Sequence, residues 1–245
     1  LGQTYKNFEL IIVNDCSTDG TSNIIKSFKD ERIKSFNLQK RLGRTKALNF
    51  GLDKCISNFI AIQDADDISH KNRLNKTINK ILENDQIGLI FSNFDVINSK
   101  GILKKKFKLN NEIENENIYF SKLKYINLIA HSTVLFRRNI KFDTFRYNEN
   151  YIYAQDYHMI LWYLKNSSIY KLNESLAQIR HHSNNMTNRK KLEKTRILES
   201  ISLLNYSKKK FKNNIKENFF INFFITKNFI KLFFYKFKTY CLKGV

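Results

Sequence analysis

Two short acidic clusters, each placed where a buried strand runs out into a turn, constrain this chain more than any other feature. The first follows the apolar run Leu10–Val13 and reads Asn14-Asp15-Cys16-Ser17-Thr18-Asp19-Gly20-Thr21. The second follows Phe59–Ile62 and reads Gln63-Asp64-Ala65-Asp66-Asp67. In open α/β sheets ligands bind beyond the carboxyl ends of strands, where loops and helix N-termini converge.

The pattern around the clusters supplies such a sheet. Helical text at Ser22–Lys29 leads to a short strand-like run, Ile33–Leu38. Ala47, Leu48, Leu52 and Ile56 then recur at helical spacing, as do Leu74, Ile78, Ile81 and Leu82 before the strand Ile87–Phe91. Strands alternating with helices predict an α/β fold, a mostly parallel sheet flanked by helices. Beyond residue 100, Lys100-Gly101 reads as a hairpin turn, Ser132–Phe136 and Ser168–Ile179 as strands, and Asp156–Leu164 as a helix. From about Lys190 the text is helical and basic. The expected organisation is one domain over residues 1–190 and a helical C-terminal extension over 191–245.

Composition narrows the function classes. With 42% hydrophobic residues in 245 there is material for a real core, so wholesale disorder is excluded. Cys16, Cys55 and Cys241 are odd in number and widely spaced, which argues against a disulfide framework or a cysteine zinc site and fits a reducing compartment. No apolar run approaches the roughly 20 residues that span a bilayer. The net charge of +21 accompanies a complete absence of proline and abundant Lys, Asn, Ile and Phe. Such a bias fits the codon drift of an AT-rich genome and weakens the charge as an argument for nucleic acid. The chain opens on Leu1 and runs almost at once into a strand, so an earlier strand–helix unit is expected before it.

Carboxylates spaced D-x-D on a strand-end loop can hold a hard divalent cation and leave positions open for phosphate oxygens. A single triplet means little, since chance gives about 0.5 in a chain with this much Asp. Either cluster alone also reads as a turn and helix cap. Both lying at strand ends, about 50 residues apart in one α/β unit, is what favours a site.

Four segments, in order and spacing, resemble the family 2 glycosyltransferases of GT-A fold. They are Gln3–Glu9, Ile12–Thr21, Arg44–Leu52 and Gln63–Ser69. The resemblance continues through His131–Arg138, Ala154-Gln155-Asp156-Tyr157 and Ile179-Arg180-His181-His182, and so covers about residues 1–190. It implies transfer of a sugar from a nucleotide-diphosphate donor to a saccharide or lipid-linked acceptor hydroxyl, with inversion. Asp15 would bind the donor's base, Asp64 would lie at the ribose or metal, and Asp66 would coordinate Mn²⁺ or Mg²⁺ at the diphosphate. A fixed dication stabilises charge growing on the leaving phosphate. Asp156 would be the general base that takes the acceptor proton. Arg180 and His182 match a segment near the diphosphate, where a cation offsets phosphate charge. Arg44 and Lys46 carry little weight in this reading, and Cys16 stands where Gly or Cys is acceptable. The chain departs from the family pattern at Gln155, where Glu is usual, at Ile179 for Tyr, and at Lys71 for Pro.

The tail is the remaining singular feature. Residues 208–245 hold ten Lys and one Glu, so +9 of the charge sits there and +12 in the rest. Phe219, Phe220, Phe223, Phe224, Phe229, Phe233 and Phe234 are interspersed with Lys227, Lys231 and Lys238, which fall within about 40° of one another on a helix. Two readings stay open: an interfacial helix on an anionic membrane surface, and a helix packed on the core with a solvated Lys edge. The expected protein is a metal-dependent inverting glycosyltransferase of surface polysaccharide or glycolipid synthesis, cytoplasmic, with peripheral attachment to the inner face of the cell membrane. The alternative is a non-catalytic basic protein on a degenerate GT-A scaffold, binding membrane surface or nucleic acid. Nothing in the sequence supports specific nucleic-acid reading, since aromatic platforms and a basic recognition helix are both missing. A nucleotidyltransferase with a similar sheet is a third reading.

Overall fold

The computed structural model describes residues 1–107, 116–140, 143–183, 185 and 192–241, with backbone alone at 107, 116–119 and 236–241. The elements run β1 (Leu10–Asn14), α1 (Thr21–Ser27), β2 (Ile33–Asn37), α2 (Arg44–Lys54), β3 (Phe59–Ala61), β4 (Ile68–Ser69) and α3 (Arg73–Leu82). They continue with β5 (Ile87–Asn98), β6 (Leu103–Phe107), α4 (Glu116–Leu123), a 3₁₀ turn (His131–Thr133), β7 (Leu135–Arg137), β8 (Asn139–Ile140) and β9 (Asp143–Thr144). The chain then forms α5 (Gln155–Asn166), β10 (Ser168–His181), α6 (Glu193–Lys210) and α7 (Ile215–Cys241).

The α/β architecture is as expected, but the sheet is mixed rather than mostly parallel. Its main path is β3-β7-β5-β10-β4, with β6 joined to β5, while β1 and β2 form a separate parallel pair. In the main sheet, among the described residues, only β5 and β10 pair in parallel; β7 lies antiparallel between β3 and β5. That inserted strand restores the direction, so β3, β5 and β10 all point their carboxyl ends the same way. Strand direction depends on where the chain returns after residue 100, which local periodicity does not encode.

Residues alternate across the sheet and explain why helices cover both faces. On one face Leu89, Phe91 and Phe136 pack with Leu52 of α2 and Met159, Ile160 and Tyr163 of α5. On the other, Ile87, Ile90 and Leu135 meet Ile78 and Ile81 of α3. The central strand β5 is buried through its first seven residues, as a strand covered on both faces must be.

Three local expectations change. Ile56, read on the apolar face of α2, lies past the end of that helix and is 85% exposed. Leu82 ends α3 exposed, and the inner side of that helix is completed by Arg73 and Thr77 instead. The strand expected at Ser132–Phe136 begins later, because His131–Thr133 winds into a tight turn with the Thr133 hydroxyl donating to Ala130 O at 2.6 Å. The hairpin at Lys100-Gly101 forms as read, with Gly101 at φ +82° closing β5 onto β6. Residues 208–241 lie in α6 and α7 and the short connection between them, helical as expected.

Candidate active site

A cleft of about 2400 Å³ runs from the edges of β1 and β3 to the N-terminus of α5. Among the residues lining it are Asp15, Asp64, Asp66, Asp156, Arg180 and His182, so all six side chains singled out in the sequence border one cavity.

The acidic loop after β3 sits at the carboxyl ends of three strands running the same way. Asp66 pairs with His182 beyond β10, Oδ2 to Nε2 at 3.0 Å. Arg180 ties the three strand ends together. Its backbone N–H donates to Asp67 Oδ1 at 2.8 Å, its Nε to Asp66 O at 2.8 Å, and its Nη1 to Asn98 O and Ser99 O at 3.1 and 3.0 Å. The guanidinium is therefore occupied by backbone carbonyls and shapes the acidic loop. Asp67 also accepts from Ser132 Oγ at 2.6 Å; burial, with Asp64 and Asp66 adding to it, lifts its carboxyl above the ordinary range against these hydrogen bonds.

Beneath the loop lie two arginines. Arg73, at the start of α3, is fully buried and donates to Ile62 O, Val134 O, Gln63 Oε1 and Ser69 Oγ, all within 3.1 Å. Burial lowers its pKa to about 10, with Asp67 and Asp64 opposing. Arg44, first residue of α2, is half-buried. It donates to Asp64 Oδ1 at 2.7 Å and to His131 Nδ1 at 3.1 Å. With the Gln155 amide oriented as its neighbours require, Arg44 Nε also donates to Gln155 Oε1 at 2.8 Å, and the Gln155 amide N–H donates to Tyr153 O at 2.8 Å. Burial works against the Arg44 charge, but Asp64 and Asp156 outweigh it and raise its pKa. His131 accepts from this arginine, so its Nε2–H donates to Tyr147 Oη at 2.8 Å. Burial, with the Arg44 charge beside it, pulls His131 down to about 3, a neutral imidazole at any physiological pH.

Asp156 opens α5. Its Oδ1 accepts the Tyr157 N–H at 2.7 Å and its Oδ2 the Asn127 amide at 3.2 Å. Burial raises its pKa, opposed chiefly by Arg44. The segment before it is held by Glu199 of α6, whose carboxylate accepts the N–H groups of Ile152, Tyr153 and Ala154 at 2.8 to 2.9 Å. Glu199 thus fixes the chain leading into α5, while Asp156 itself accepts one of the free N–H groups of the helix's first turn.

Asp15 has a different local duty. Its two oxygens accept from Leu42 N at 2.7 Å and Gly43 N at 2.9 Å, fixing the loop that leads into Arg44. Gly43 sits at φ +88°, open to glycine and costly to other residues. Cys16 adopts φ +59°, a left-handed backbone that glycine would hold at less cost.

Sequence reasoning missed Arg44, Arg73 and Glu199 as parts of the site. Arg44 carried a usable signal, a cation directly after a Gly at a helix start; Arg73 carried none that set it apart from a solvated helix residue, and Glu199 none because the backbone it holds lies 45 to 47 positions away. Among the described residues, no three His, Cys, Asp or Glu side chains converge into a ready metal cage. The donor chemistry nonetheless fits a Mg²⁺-type cation, which takes one or two carboxylates and lets phosphate and water complete its shell. Asp66 keeps Oδ1 clear of hydrogen bonds from the described residues and its side chain 41% exposed.

Comparison with known proteins bears on the family and the fold. The family model described as glycosyl transferase family 2 matches residues 1–145. The UDP-Glc:alpha-D-GlcNAc-diphosphoundecaprenol beta-1,3-glucosyltransferase WfgD of Escherichia coli is 31% identical over 173 residues, 71% of this chain and 64% of that protein. The chain spans 59–64% of the length of the first curated relatives it matches. Among solved structures, S. aureus TarS in complex with UDP superposes with a TM-score of 0.62 at 17% identity, covering 93% of this chain and 65% of that one. The mannosyltransferase PcManGT of Pyrobaculum calidifontis, in complex with GDP-Man and Mn²⁺, gives 0.61 at 14%, covering 90% and 61%. These two likenesses concern the fold.

Proposed function

Since the chain belongs to glycosyl transferase family 2, we propose that its cleft transfers a sugar from a nucleotide-diphosphate donor to an acceptor hydroxyl with inversion, Asp156 acting as general base. The observation that carries this reading is the shared cleft. A strand-end acidic loop and a raised-pKa carboxylate at a helix start open onto it, coupled through Arg44.

In a single displacement the acceptor oxygen attacks the anomeric carbon while its proton passes to a carboxylate oxygen of Asp156. The bond from that carbon to the β-phosphate oxygen breaks, and the nucleoside diphosphate leaves with the electron pair. Burial makes the Asp156 carboxylate a stronger base than a solvated aspartate. Asp66, with Asp64 beside it, would hold a divalent cation, Mn²⁺ or Mg²⁺, whose charge offsets that developing on the diphosphate. His182 and Arg180 keep the acidic loop in place at that end, and Asp15 shapes the loop on the donor side. UDP in TarS and GDP-Man with Mn²⁺ in PcManGT support the donor class and the metal. The relative WfgD, named for a diphosphoundecaprenol-linked acceptor, supports a saccharide or lipid-linked acceptor in polysaccharide or glycolipid synthesis.

The test is sugar transfer from UDP- and GDP-sugars with and without Mn²⁺, alongside calorimetric binding of the nucleotide. Asp156→Asn is expected to lose transfer by roughly 10²–10⁴-fold while nucleotide binding stays within a few fold. Asp66→Ala is expected to lose the metal-dependent part of that binding. Undiminished transfer by Asp156→Asn would remove it as the base.

A further inference from the structure

Helix α7 is apolar on two opposite sides, and among the described residues only one of them has a partner. Its inner side is pinned to the rest of the molecule. Glu217 forms a capping box with Asn214, exchanging bonds of 2.8 and 2.9 Å, and accepts from Lys124 Nζ at 2.8 Å and Ser121 Oγ at 2.6 Å. One turn on, Ile221 is fully buried, Phe220 and Phe224 stack on Tyr125, and Asn228 donates to Ser200 Oγ.

Outward, Phe219, Phe223, Phe229, Ile230, Phe233 and Phe234 are each 51–66% exposed. On an ideal helix they share an arc of about 140° centred opposite the inner side. Lys216, Lys227 and Lys231 follow along one flank of that arc, within about 60° of one another. Lys227 and Lys231 also border the cleft that holds Asp156. A solvated helix that had only to pack on the core would need no second aromatic side.

We propose that the outer side of α7 docks on an anionic lipid bilayer, with its aromatic rings in the interface and the lysine flank at the headgroup phosphates. The charge decides the occupant. A stripe of ammonium groups beside aromatic rings is complementary to a phosphate-bearing surface with hydrocarbon beneath it. Because the lysine flank lies between the aromatic arc and the cleft, docking places the mouth of the cleft at the membrane surface. An acceptor with a lipid tail would then reach Asp156 without leaving the bilayer.

The inference goes beyond the proposed activity, and vesicle binding needs neither donor nor acceptor. The two therefore fail separately: a chain inactive in transfer can still bind vesicles, and the reverse. The experiment sediments the protein with vesicles of phosphatidylcholine, alone or mixed with phosphatidylglycerol, over a range of salt. The protein is expected to co-sediment with the mixed vesicles, less so as salt rises, and weakly with phosphatidylcholine alone. Phe233→Glu/Phe234→Glu, and separately Phe219→Glu/Phe223→Glu, should each weaken binding at least ~10-fold with an unchanged thermal melt. Lys227→Gln and Lys231→Gln should each cost roughly 5-fold on the anionic vesicles. Three results would overturn the proposal. They are a protein left in the supernatant with both vesicle types, equal binding to both, or a dimer that the phenylalanine variants dissociate with no vesicle binding at all.

Discussion

Asp156 and Arg44 are best understood as one electrostatic unit. Burial lifts the Asp156 carboxyl above its ordinary 3.8 and the Arg44 charge holds it back from rising further. Activity should therefore climb with pH as Asp156 ionises, with its acid-side midpoint above that of a solvated aspartate. Removing the cation in Arg44→Gln should push the midpoint to still higher pH and lower kcat at neutrality. A pH–rate profile checks both, because a merely structural loss would lower kcat and leave the midpoint where it was. The same carboxylate bears on stability. With its folded pKa raised above the unfolded one, it contributes stability at acid pH that is lost as pH rises through the folded value. Keeping an ionised base partly shielded from solvent therefore costs the fold something at the pH where it would work. Arg44 received little weight from the sequence because the family that the chain resembles tolerates several residues at that helix entry. Its partners Asp64, His131 and Gln155 lie 20, 87 and 111 positions away.

At the scale of elements, the decisive contact is α6 on the start of α5. Glu199 collects three backbone N–H groups from residues 152–154, and the residue it steadies is the one two positions on. Glu199→Ala should destabilise the protein by roughly 1.5–3 kcal/mol, the usual worth of hydrogen bonds to a charged group. It should also lower kcat with little change in nucleotide affinity, because Asp15, Asp64 and Asp66 lie on other elements. Glu199→Gln retains an acceptor oxygen and should recover part of both losses. Denaturant unfolding together with a kcat against KM comparison separates the two effects. The sequence marked residues 191–245 as a basic, aromatic-rich helical tail and assigned α6 no role in the site. That α6 reaches back to the base is a consequence of packing that no local pattern in 193–210 announces.

Taken whole, the molecule holds its acids in a cleft floored by arginines, a poised state that a bound anion and cation should stabilise. Under the proposed function, a nucleoside diphosphate with Mn²⁺ at about 100 times Kd should add roughly 2.7 kcal/mol, or about 5–10 °C in Tm for a chain of this size. A thermal-shift measurement checks this, and Asp66→Ala should forfeit the increment that depends on Mn²⁺. Much of this was legible beforehand. The alternation of apolar strands and amphipathic helices, and carboxylates at two strand ends, are local properties. Backbone periodicity and turn chemistry determine them residue by residue. The sequence by itself therefore determined the α/β class, the acids at strand ends and the helical, basic tail. The tertiary structure alone decided that β7 runs antiparallel between β3 and β5, that Arg44, Arg73 and Glu199 belong to the site, and that α7 buries one aromatic side and bares the other. Each of those rests on contacts between residues far apart in the chain, and it is chain return and side-chain packing, not local preference, that bring them together.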